Sequence, residues 1–197
     1  MALRAAKFSD DAVQAITAEV ANLATRPAQY ERLLGGAPPE NLTIAAPHPV
    51  YSLGLDALVE GSGLERAEQV GQRCLIMNDE NAVATAEIVD EAGGSGVTTT
   101  RGPFTHSTVT TIDEVEGWQK VEEGDYEMRL LRIPALYLMS LWAHSADGET
   151  DLFSPLEPAP QGLDPKQSYS WEELAEVLRP LAKKQLDGPA NAGPAVA

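Results

Sequence analysis

Apolar residues recur at helical spacing in some stretches of this chain and alternate with polar ones in others, which predicts an α+β domain. Val13, Ile16, Val20 and Leu23 share one helical face. Ser9 precedes them as an N-cap, with Asp10 and Asp11 in the first turn, and Phe8 with Val13 fits a hydrophobic staple. Pro27 ends or kinks that helix, or opens the next one at N1. The helical run continues through 28–34, and Gly35 with Gly36 stops it. Residues 37–50, with prolines at 38, 39, 47 and 49, read as loop. Residues 51–61 suit a short helix or an irregular buried segment equally. Ser62 with Glu65 matches a capping box that would open a short helix to about Val70.

β-prone runs at 73–77 and 82–91 flank the turn formers Asn78, Asp79, Glu80 and Asn81, which predicts a hairpin. Residues 93–96, "GGSG", read as a flexible connection. Over 107–118 the spacing of Val109, Ile112 and Val115 predicts a helix capped by Ser107. The most apolar stretch, 130–145, is too short for a membrane span of about 20 apolar residues, and it contains Arg132 and Pro134. It reads instead as alternating strand 126–133, a break at Pro134, and strand 135–144 apolar on both faces. A turn at Asp147-Gly148 and a returning strand at 150–155 complete a meander. Ser170 with Glu173 forms a capping box for a last helix, with Leu174, Val177, Leu178 and Leu181 on its buried face and a bend at Pro180.

These elements predict an antiparallel sheet of about five strands with the N- and C-terminal helices packed on one face. The domain spans residues 1–187, and 188–197 form a disordered tail. Helix first and sheet later resembles the cystatin-like and NTF2-like layouts, an analogy of element order that carries no function.

Candidate chemistry is sparse. Cys74 alternates with Ile76 in an apolar strand, where a thiol behaves as a small hydrophobe, and Arg73 beside it points to the other face. His106 and Ser107 are adjacent, which does not build a triad. His144, Asp147, Glu149 and Asp151 cluster, but Gly148 falls at the wrong place for a calcium loop, so a solvated turn fits better than a metal site. The glycine-rich 93–103 lacks the P-loop and dinucleotide patterns, although Arg101 could meet an anion there. No catalytic residue, metal or cofactor is assigned.

Net charge is −16, and all of it lies beyond residue 36, where 26 acids face 10 bases. Such a surface repels nucleic acid and anionic lipid. Nine arginines to five lysines, with abundant alanine, fit GC-rich bacterial coding, and a single cysteine fits a reducing, cytoplasmic setting. Carboxylates concentrate at Asp113, Glu114, Glu116, Glu122, Glu123 and Asp125 around Trp118. The expectation is a non-catalytic acidic interaction protein (adaptor, chaperone or immunity-type inhibitor) whose partner presents a basic surface to those residues. One alternative is a small-molecule site or small enzyme in the curved sheet, lined by Tyr137, Trp142 and Phe153. A second is a nucleic-acid mimic.

Overall fold

Pro47 and Pro49, which mark residues 37–50 as loop in the sequence, lie inside a strand. In the computed structural model, which describes residues 3–61, 63–91, 94–147 and 150–188, β1 spans Leu42–Ser52. Proline lacks the amide proton that a ladder uses, so strands tolerate it at edges and bulges. Both conditions hold here. β1 pairs antiparallel with β2 (Glu68–Asn78), with an irregularity between Ala45 and His48 that takes in Pro47. On its other side β1 meets β5 (Tyr126–Ile133), in parallel, only from Val50 onwards. N-terminal residues fill the gap before that point. Arg4 N–H donates to Tyr126 O, Met128 N–H to Arg4 O, and Ala6 N–H to Pro47 O, each at 2.8 Å.

β3 (Asn81–Glu91) and β4 (Gly94–Thr100) continue outwards from β2, and β6 (Leu138–Ser145) and β7 (Leu152–Pro155) continue outwards from β5. The order is β4-β3-β2-β1-β5-β6-β7, antiparallel except at β1–β5. The described sheet is therefore seven-stranded and mixed, not five-stranded and wholly antiparallel. The strands missing from the sequence reading are β1, hidden by its prolines, and β4, which occupies most of the supposed flexible connection. The meander β5-β6-β7 is present, with a 3-10 turn at Pro134–Leu136 in place of the strand's expected start.

Strand register assigns the faces. Cys74, Ala84 and Ala86 lie under α1 (Asp10–Ala24) and α2 (Pro27–Leu34), packed with Ile16, Leu23 and Leu34. Leu131, Ile133, Trp142 and Phe153 point to the same side, under α3 (Leu55–Glu60) and α6 (Trp171–Asp187). Val50, Leu130 and Leu141 point to the opposite side, under α4 (Pro103–Glu116) and α5 (Gln119–Glu123). The terminal helices do share a face, but a further helical layer covers the other one. The apolar stretch 130–145 is thus the middle of a three-layer core. Among the described residues no helix is long and apolar enough to cross a membrane.

Local signals explain most helix ends. Ser9 Oγ accepts from Ala12 N–H at 3.2 Å, Pro27 is at N1 of α2, and Gly35 closes α2 with φ +66°. Ser170 and Glu173 exchange both bonds of a capping box, at 3.3 and 2.7 Å. α6 runs through Pro180 and buries Leu174 and Leu178 completely, contributing roughly 2 kcal/mol each. Two expectations are corrected. The helix expected after Ser62 is a 3-10 turn at Leu64–Arg66 followed directly by β2 (Ser62 itself lies outside the described residues). The cap of α4 is Gly102, and Ser107 sits inside the helix, donating to Glu157 O at 2.9 Å. Nearly all of the expected tail, 189–197, also lies outside the described residues.

Candidate anion-binding site

On the face covered by α4, two arginines lie across the sheet. Arg73 starts on β2 and Arg132 on β5, and strand pairing orients both towards this side. Arg73 is 5% exposed. Its Nη2 donates to Thr85 Oγ1 on β3 at 3.0 Å, and its Nη1 approaches Met139 Sδ on β6 at 3.3 Å. Arg132 reaches the other way, with Nη1 2.8 Å from Glu87 Oε1 on β3. The Arg132 side chain therefore passes over β1 and β2 to reach β3. The Nε–H groups of both arginines are buried without a hydrogen-bond partner.

Above this floor is an open cavity of ≈ 510 Å³. Arg73, Arg132 and Glu87 lie at its base, and Phe104, Tyr137 and Met139 form an apolar wall. The start of α4 forms another side. Gly102 has no side chain to cap the helix, and Pro103 at N1 has no amide proton. Helix amides near this end lack intrahelical acceptors, and the macrodipole adds partial positive charge towards the cavity. Thr105 Oγ1 satisfies the Gly102 N–H at 3.3 Å.

The charges do not balance. Three arginines and one carboxylate line the cavity, in a protein whose formal charge is −16. Burial pushes Arg73 below its ordinary pKa, Arg132 pushes the same way, and Glu87 opposes them. Arginine stays charged under these conditions, so the site holds a cation with an unused donor. Arg101 stands on the rim, but its guanidinium lies against Gly35 at the end of α2, so its expected anion contact is not on the floor.

His48 sits on the same face, opposite Arg73 in the β1–β2 register, and is fully buried. Its Nδ1 is 2.7 Å from Ala46 O, which fixes Nδ1 as the donor and leaves Nε2 as an unpaired acceptor. Burial lowers its pKa to about 4, aided by Arg73 and opposed by the Ala46 bond, so the ring is neutral at pH 7.

The expected pocket trio is not brought together. Trp142 and Phe153 stack at 5.6 Å in the core beneath α6, on the far side of the sheet. Only Tyr137 reaches the cavity. Asp113, Glu114 and Glu116 lie exposed at the end of α4, and Glu122 and Glu123 lie exposed on α5. Asp125 pairs with Arg4 at 2.7 Å, and Trp118 is half-buried against the core under α4 and α5.

Cys74 is buried on the α1–α2 face, with its thiol pushed up to about 11 by burial, and Arg73 points away from it. Asp151 accepts from Trp142 Nε1 at 2.7 Å, Ser145 N–H at 2.9 Å and His144 Nδ1 at 3.0 Å, which commits it to holding β6 and β7 together at this end. Among the described residues no group of three or more His, Cys, Asp or Glu is placed to hold a metal ion.

Arg73, Glu87, Phe104 and Arg132 had no assigned role in the sequence. The available signal was an arginine inside each of two apolar strands, a placement that requires a partner or a ligand. Comparison with protein-family models, with curated proteins and with solved structures gives no match.

Proposed function

We propose that this protein is a non-catalytic binding protein for a small anionic molecule, held between the start of α4 and the β2-β1-β5 floor. The observation that carries this reading is Arg73, only 5% exposed, lining a cavity that Arg101 and Arg132 also line, with Glu87 the one carboxylate beside them. Guanidinium recognises oxyanions through fixed donors and does not exchange protons near neutral pH, so this floor suits binding better than acid–base chemistry. A ligand that binds only the folded state raises the melting temperature by mass action. Sodium acetate should therefore stabilise the protein more than sodium chloride at equal ionic strength, and Arg132→Gln should remove the difference. Equal melting curves in the two salts would count against the reading.

A second reading concerns the acidic segment 113–125, as a docking surface for a basic protein. It is supported by Asp113, Glu114 and Glu116 at the C-terminal end of α4, whose last turn has no base. Carboxylates there oppose the macrodipole and cost stability. A surface kept charged at that cost fits recognition by opposite potential, which acts mainly on association rate. Glu122→Lys with Glu123→Lys should slow association with a basic partner without altering the fold. An unchanged association rate would leave those residues a role in solubility alone.

A further inference from the structure

Building on the anion-site reading, we infer that the occupant is a small organic oxyanion carrying a flat aromatic ring. Charge, space and the wall of the cavity each narrow the choice.

Three arginines, Arg73, Arg101 and Arg132, line the cavity against one carboxylate, Glu87, a surplus of positive charge. An organic oxyanion offsets that surplus. Guanidiniums are planar, and their fork geometry matches the paired oxygens of such an anion.

Space excludes an inorganic anion as a complete fit. A cavity of ≈ 510 Å³ falls in the range of roughly 300–1,000 Å³ that holds organic ligands. An anion of phosphate size would leave most of it to water.

The wall points to a ring. Phe104 and Tyr137 meet at 5.2 Å between centroids, tilted by 50°, and both line the cavity. Tyr137 has two features that folding alone does not favour. It is 63% exposed, and its backbone is left-handed with φ +53°, a conformation that suits glycine or asparagine. Strain of this kind persists where the side chain is used. An aromatic ring resting on Tyr137 and Phe104 would cover the exposed face while its anionic group reaches Arg132 and Arg73.

Calorimetric titration of the full chain with benzoate, cyclohexanecarboxylate, acetate and inorganic phosphate tests this, with Tyr137→Gly as the variant. Glycine relieves the backbone strain at 137, so the variant is expected to fold. Wild type should bind benzoate at least roughly tenfold more tightly than acetate, and more tightly than cyclohexanecarboxylate or phosphate. Tyr137→Gly should weaken benzoate by roughly three- to tenfold and acetate by less. Cyclohexanecarboxylate equal to benzoate, or benzoate unaffected by the variant, would overturn the flat ring while leaving the anion site standing. Inorganic phosphate binding above benzoate would overturn the ring. Failure of every anion to bind would overturn the inference and the anion-site reading together.

Discussion

Arg132 Nη1 lies 2.8 Å from Glu87 Oε1, although β1 and β2 separate their strands in the sheet. A pair drawn across so much of the floor does more than join neighbours. It fixes a guanidinium over the cavity and partly cancels the charge that a ligand would meet. Glu87→Gln should therefore act in opposite directions on two measurements. Folding stability should fall by about 1–3 kcal/mol in denaturant melts, because Arg132 loses its charged partner in a half-buried place. Benzoate affinity should rise several-fold in calorimetry, because a competing negative charge is gone. Weaker binding together with lower stability would mean that Glu87 serves only to position Arg132.

His48 sets a pH dependence. Its folded pKa of about 4 lies below the ordinary 6.5, so between those values the unfolded chain binds a proton that the native state does not. Stability from this group is present above pH 6.5 and is lost as pH falls towards 4. The full difference is on the order of 3 kcal/mol. His48→Asn keeps a donor for Ala46 O and removes the titration. Denaturant melts across this window should show a shallower acid loss in the variant than in wild type. Parallel curves would mean that His48 is solvated in the native state.

Asp151 links Trp142, His144 and Ser145 through the contacts at 2.7–3.0 Å. Asp151→Asn removes the charge and turns one acceptor oxygen into a donor that faces existing donors. A loss of about 2–3 kcal/mol is expected. A near-neutral result in denaturant melts would mean that water replaces these bonds.

Glu114→Lys with Glu116→Lys places bases in the last turn of α4, where the macrodipole favours them. The pair should stabilise by about 0.6–2 kcal/mol at low ionic strength and by less in salt, measured by thermal melts. Destabilisation would show that these carboxylates already hold compensating contacts.

The helices at both ends were legible because their signals are local: Ser9, Pro27, Gly35, Ser170 and Glu173 all act within a turn of their own position. The meander β5-β6-β7 was legible because alternation of period two survives in 126–133, with Pro134 marking its end. β1 was hidden because Pro47 and Pro49 are tolerated only through a bulge and a late-starting partner strand, neither of which is written in 37–50. The site went with it. Arg73 and Arg132 are each forced onto one face by Cys74 and Leu131, but the two faces become the same face only through β1. Its register sets His48 opposite Arg73 and Ser52 opposite Arg132. Tyr137 was singled out as a pocket residue from its aromatic character, and the grouping with Trp142 and Phe153 failed because β6 starts at Leu138, after the turn that directs Tyr137 to the other layer.

The Nε–H groups of Arg73 and Arg132 belong to the guanidiniums on which the anion site depends, and their resonances report on it. A proton–nitrogen correlation spectrum tuned to arginine Nε, recorded through a benzoate titration at pH 7, should show two of these resonances moving together and saturating. Arg132→Gln should remove one of the pair and weaken the movement of the other. Arginine Nε resonances that stay in place through millimolar benzoate, acetate and phosphate would contradict the assignment of this cavity to an anion.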